Sequence, residues 1–141
     1  MRTEQKALDV IANVMVGQPW DGGYYEGGTD TSITIPQDTE TDLATMNATD
    51  VPAGRYTVTV SAEWFYSTTR DSMDFVFYDK TDTEILRLSR DSADAHQISM
   101  MTVAKPFTHA GGEMGLRMTG YHNRAQTATV ESAWIMVQRV G

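Results

Sequence analysis

Arg55-Tyr-Thr-Val-Thr-Val-Ser-Ala-Glu-Trp-Phe-Tyr66 is the stretch that decides the fold. Tyr56, Val58, Val60, Ala62 and Trp64 alternate with Thr57, Thr59, Ser61 and Glu63. A period of two is that of a pleated strand, with one face turned to a core and the other to water. Neighbours on a strand point to opposite faces, so Trp64 and Tyr66 share the inner side and Phe65 points out.

Outward from this strand, the same period runs from Ser32 to near the C-terminus. It predicts strands at 32–35, 41–47, 72–79, 83–89, 96–104, 113–120 and 127–139 besides 55–66. Asp50-Val-Pro-Ala-Gly54, Asp79-Lys-Thr-Asp82, His109-Ala-Gly-Gly-Glu113 and Gly120-Tyr-His-Asn123 supply the turns between them. The expectation is an all-β fold, an antiparallel jelly-roll β-sandwich of about eight strands.

Toward the N-terminus the pattern changes. Ala7, Val10, Ile11 and Val14 recur at helical spacing between Thr3 and Val16, and Gly17 and Pro19 stop the run, which predicts one short α-helix. Residues 17–31 mix glycine pairs with Trp20, Tyr24 and Tyr25 and show no period, so they read as an extended arm. The division is therefore residues 1–31, helix and Gly/aromatic-rich arm, and residues 32–141, the β domain. On that division residues 1–30 can be removed without unfolding the strands.

Two strands break the half-wet pattern. In 96–104, Ile98 and Met100 oppose Met101 and Val103; in 127–139, Val130, Trp134 and Met136 oppose Ala133, Ile135 and Val137. A second apolar face needs cover, from the helix, the arm or a neighbouring copy. Met101, Val103, Trp134, Ile135 and Val137 are accordingly the candidate oligomer interface. Trp20, Tyr24 and Tyr25 are the candidate partner-binding residues of the arm, since Trp and Tyr are enriched at interfaces.

Composition narrows the function classes. A chain of 141 residues and 15.7 kDa has room for one domain. No apolar run reaches the roughly 18 residues of a membrane span, and the N-terminus lacks a signal-peptide core, so neither a membrane nor export is expected. With no cysteine there is no disulfide and no thiolate chemistry. A formal charge of −8 and a pI near 4.7 argue against nucleic acid, whose phosphates require clustered Lys and Arg.

Chemistry-bearing constellations are sparse. His96, His109 and His122 sit near predicted strand ends or turns rather than in a ligand set, and no metal is expected there. Asp71, Asp74, Asp79 and Asp82 lack the spacing of a calcium loop and suit turn formation instead. No nucleophile elbow, zinc-binding helix or phosphate-cradling loop occurs, so no catalytic residue and no cofactor is assigned. A carboxylate pair for glycoside hydrolysis stays open, because its members can come from any two strands.

Three segments carry a resemblance: Val51-Pro-Ala-Gly-Arg-Tyr-Thr-Val-Thr-Val60, Ala110-Gly-Gly-Glu-Met-Gly-Leu116 and Glu131-Ser-Ala-Trp-Ile-Met-Val-Gln-Arg-Val140. Together they resemble the small jelly-roll domains of tailed-phage virion proteins, related in architecture to complement C1q and tumour-necrosis-factor domains. The resemblance spans about residues 32–141. It implies a homotrimer without enzymatic activity, made in the bacterial host cytoplasm and carried on the capsid surface of the virion. The major capsid protein is then the partner, and the role is that of a head decoration, or cement, protein. A phage tail or receptor-binding component and a carbohydrate-binding module are the alternatives.

Overall fold

A computed structural model describes residues 23–94 and 96–141. The helix expected at 3–16 and the arm residue Trp20 lie outside the described residues. Nine strands follow one another: β1 (Tyr24–Thr29), β2 (Ile33–Ile35), β3 (Thr41–Val51), β4 (Gly54–Tyr66), β5 (Ser72–Asp79), β6 (Glu84–Asp91), β7 (Ser99–His109), β8 (Gly112–Tyr121) and β9 (Ala128–Arg139). All pairings are antiparallel and they make two sheets. The front sheet has the order β1-β9-β4-β7, with β2 also on β9, and the back sheet has the order β3-β8-β5-β6. Consecutive strands thus alternate between layers more often than they pair, which is the jelly-roll form of a β-sandwich.

The strand read from Arg55 to Tyr66 lies at the centre of the front sheet, between β9 and β7. Tyr56, Val58, Val60, Ala62, Trp64 and Tyr66 are all buried, while Thr57, Thr59, Ser61, Glu63 and Phe65 are only partly so. The core between the sheets is closed by Met73, Phe75 and Phe77 of β5 and Met114, Leu116 and Met118 of β8. Five of the nine methionines, Met46, Met73, Met101, Met114 and Met118, are buried here. Their flexible side chains fill gaps that rigid branched residues would leave.

Rings gather at one end of the core. Trp64 meets Tyr66 and Phe75 edge-to-face at 5.7 and 5.6 Å, and Tyr66 meets His122 at 5.2 Å. Trp64 Nε1 has no oxygen or nitrogen partner among the described residues. His122, 2% exposed, donates from Nε2 to the Ile35 carbonyl at 2.9 Å and accepts the Arg124 N–H at Nδ1. One ring thereby satisfies a backbone group of β2 and one of the β8–β9 loop.

The arm expected over residues 17–31 is corrected from Tyr24 onward. Tyr24–Thr29 is a strand, paired with β9 from Tyr24↔Gln138 to Thr29↔Ala133. Its glycines hid it, and they are also why it forms. A Cβ at Gly27 would run into the Thr45 carbonyl and lie 2.8 Å from Met46 Cα, so only glycine lets β1 close against β3 of the other sheet.

Candidate functional site

β9 decides which residues face outward. Glu63 pairs with Ser132 but Trp64 pairs with Val130, so Glu131 is an extra residue on β9 and the strand bulges there. The bulge reverses the parity of all that follows. Ala128 and Val130 point into the core before it, and Ala133, Ile135 and Val137 point into the core after it. A strict period of two puts Val130 on the same face as Trp134; the structure puts them on opposite faces.

This corrects the expected interface set. Met101 (2% exposed), Ile135 and Val137 (both 0%) lie between the sheets and supply no exterior surface. Val103 faces the same side, part-buried beside Ile85 and Leu86 in a small apolar gap at the β6/β7 edge. Of the five, Trp134 alone stands on the outer face of the front sheet. Met136 and Met100, which the sequence reading left out of the set, stand there with it, and Met100 is 73% exposed. On β9 the bulge was the missing signal, and no local pattern in Glu131-Ser132 announces it; on β7 the pairing with β4 decides that Met101 faces in and Met100 out.

The outer face of the front sheet can be followed in cross-strand rows. One row runs Gly28, Trp134, Ser61 and Thr102; the next runs Glu26, Met136, Thr59 and Ala104; a third runs Tyr24, Gln138, Thr57 and Pro106. Its charged residues include Glu26, Glu63 and, at one end of β4, Arg55; Glu26 and Glu63 each accept a hydrogen bond, from Tyr24 (2.9 Å) and Ser132 (3.3 Å) respectively. Tyr24 is 46% exposed, and its hydroxyl is pushed up to about 12 by partial burial, by its hydrogen bond to Glu26 and by that carboxylate's charge. Trp134 lies over Gly28, whose Cβ would sit 2.8 Å from the indole, and its Nε1 donates to Asp30 at 2.9 Å. Tyr25 faces the other way and packs against the core.

The outer face of the back sheet is chemically opposite. Arg117 bridges Asp42 (2.9 Å) and Asp82 (3.0 Å) and lies over the Tyr78 ring at 4.4 Å. Arg87 pairs with Glu84 at 3.0 Å. Glu40 accepts the hydroxyls of Thr119 and Tyr78, both at 2.6 Å, which holds its carboxyl below the usual range. This face is dense in charge and satisfied within one chain.

Among the described residues no group of three or more His, Cys, Asp and Glu is placed to hold a metal. His122 is committed to the backbone, His109 Nε2 lies 3.1 Å from the Gly112 carbonyl, and His96 is an exposed loop residue. Asp79 caps its own turn by accepting from Thr81 and Thr83.

No family model matches the chain, and no curated protein sequence does. Solved structures do. The Eiger TNF of S. frugiperda aligns over 84% of this chain and 91% of that one, at 12% identity and a TM-score of 0.56. A chain of infectious bursal disease virus Gx strain aligns over 84% of this chain and 32% of that one, at 10% identity and a TM-score of 0.52. At such identities the likeness is one of fold, a jelly-roll sandwich, which hosts many unrelated functions.

Proposed function

We propose that this chain is a structural virion protein, a capsid decoration (cement) protein that binds the outside of a phage head as a homotrimer. The single observation that carries the reading is the contrast between the two outer faces. The back sheet's face is occupied by its own ion pairs, whereas the front sheet's face presents Trp134, Met136, Met100 and rows of threonine with two hydrogen-bonded carboxylates. A face with few charges and an aromatic anchor has the composition of an interface centre. Closed cyclic symmetry is the usual way for identical copies to cover such a face.

The capsid assignment draws on the sequence resemblance, and the jelly-roll fold is compatible with it. The role is passive, with no turnover: subunits join through the front sheet and tie neighbouring copies of the major capsid protein together. Residues 1–22, which carry Trp20, are assigned to that attachment. The test is co-sedimentation of the purified chain with phage heads assembled without it. Saturable binding that stiffens heads against heat supports the reading. Absence of binding to heads, with saturable binding to bacterial cells instead, replaces it with the receptor-binding alternative.

A further inference from the structure

One end of the sandwich is built from the β5–β6 turn (Lys80–Thr83) and the β7–β8 turn (Ala110–Gly111), and these turns stand apart. Between them is an open hollow of about 420 Å³, and a second of about 390 Å³ shares Asp79, Lys80, Thr81, Glu113, Gly115 and Leu116 with it. Either volume falls in the range of small-ligand sites, roughly 300–1,000 Å³. Gly115 lets the β5–β6 turn close against β8: a Cβ there would lie 2.9 Å from that of Lys80 and 3.1 Å from Asn47 Oδ1.

The lining has two parts. The floor is apolar, from part-buried Phe107 over the core residue Leu116; the Phe107 ring stacks on Tyr56 at 5.9 Å while His109 meets Tyr56 edge-on at 6.1 Å. The rim is polar. Lys80 and Glu113 pair across it at 3.4 Å, both about half exposed, and Asp79 stands beside them. Three hydrogen bonds from Thr81 and Thr83 to Asp79 hold the turn in shape, so the rim is ordered before any ligand arrives.

We infer that this end of the sandwich is a binding site for a neutral oligosaccharide. An anion would have to draw Lys80 away from Glu113 and would then face Asp79, and a cation would compete with Lys80 for Glu113. An apolar ligand would strip water from an ammonium and two carboxylates without replacing their hydrogen bonds. A sugar hydroxyl donates and accepts at once, so it bridges a carboxylate and an ammonium without separating them. The C–H face of the same ring covers the part-exposed edge of Phe107. This inference stands apart from the assembly reading, because the hollow lies at the end of the sandwich and Trp134 on its front face.

The test is titration of the ¹⁵N-labelled full chain with maltotriose, cellotriose and N,N′-diacetylchitobiose, with sialyllactose as the acidic comparison. Expected are shifts in residues 79–83 and 107–116 with at least one neutral sugar, at a Kd on the order of millimolar. Lys80→Ala and Glu113→Ala should each weaken binding about tenfold or more, a change of 1.4 kcal/mol. Both remove only an exposed ion pair, so folding is retained. Trp134→Ala should leave the affinity unchanged, which separates this site from the assembly face. No shift with any of the neutral sugars up to about 10 mM, shifts that map elsewhere, or affinity indifferent to both rim substitutions would each overturn the inference. So would a preference for sialyllactose.

Discussion

Trp134→Ala is the sharpest perturbation of the proposed assembly face. Within one copy its cost is small. The indole gives up one exposed hydrogen bond to Asp30, about 1 kcal/mol, and uncovers Gly28, while Ala133, Ile135 and Val137 keep β9 anchored in the core. Between copies the cost is larger, because a buried aromatic anchor commonly contributes about 2 kcal/mol or more at each contact. A ring of three has three equivalent contacts, which makes about 6 kcal/mol, or some four decades in the association constant. Three copies form one trimer, so the mid-point concentration follows the square root of that constant and should rise about a hundredfold. Sedimentation velocity over a concentration series measures the mid-point, and circular dichroism checks that the sandwich persists. An unchanged mid-point in a folded variant would remove Trp134 from the interface. A wild-type chain that is monomeric at about micromolar concentration, where specific complexes persist, would refute the trimer itself.

Glu40 makes the stability acid-sensitive. Its folded carboxyl titrates below the ordinary value, so its stabilisation is present above about pH 4.3 and is lost as pH falls through the depressed value. Urea unfolding of Glu40→Gln should therefore show a shallower loss of stability below about pH 4 than wild type, and equal slopes would contradict this. His122→Phe keeps a ring against Tyr66 but orphans the Ile35 carbonyl and the Arg124 N–H, so chemical denaturation should show a loss of about 1–3 kcal/mol. A loss below about 0.5 kcal/mol would mean water replaces both bonds. Removing residues 1–22 should leave the β-sheet dichroism intact and abolish attachment to heads. Removing residues 1–30 should also destabilise the fold, since it deletes β1 and strips the edge of β9. If the longer truncation is as stable as the shorter, β1 is not integral to the front sheet.

The front sheet's central strand was readable in Arg55–Tyr66 because alternation within one strand is local: each residue's face follows from its neighbours through the pleat. The same held for β5 and β8, whose bounds fall within a residue of their expected limits. The strand at Tyr24–Thr29 was not readable, because Tyr-Tyr-Glu-Gly-Gly-Thr has no apolar alternation and a glycine pair at its middle. Gly27 is selected by the approach of Thr45 from the opposite sheet and Gly28 by Ala133 and Trp134 of β9, contacts between residues distant in sequence.

The candidate interface divides in the same way. That the segments 96–104 and 127–139 hold too many apolar residues for one inner face follows from the sequence by itself, as do the all-β class and the absence of thiol chemistry. Which of those residues meet water was decided only by tertiary structure. One extra residue at Glu131, set by the pairing of β9 with β4, turns Ile135 and Val137 inward and leaves Trp134 and Met136 outside. A bulge is a property of two strands together, fixed by how their partners' side chains fill the core, and a single strand's pattern carries no trace of it.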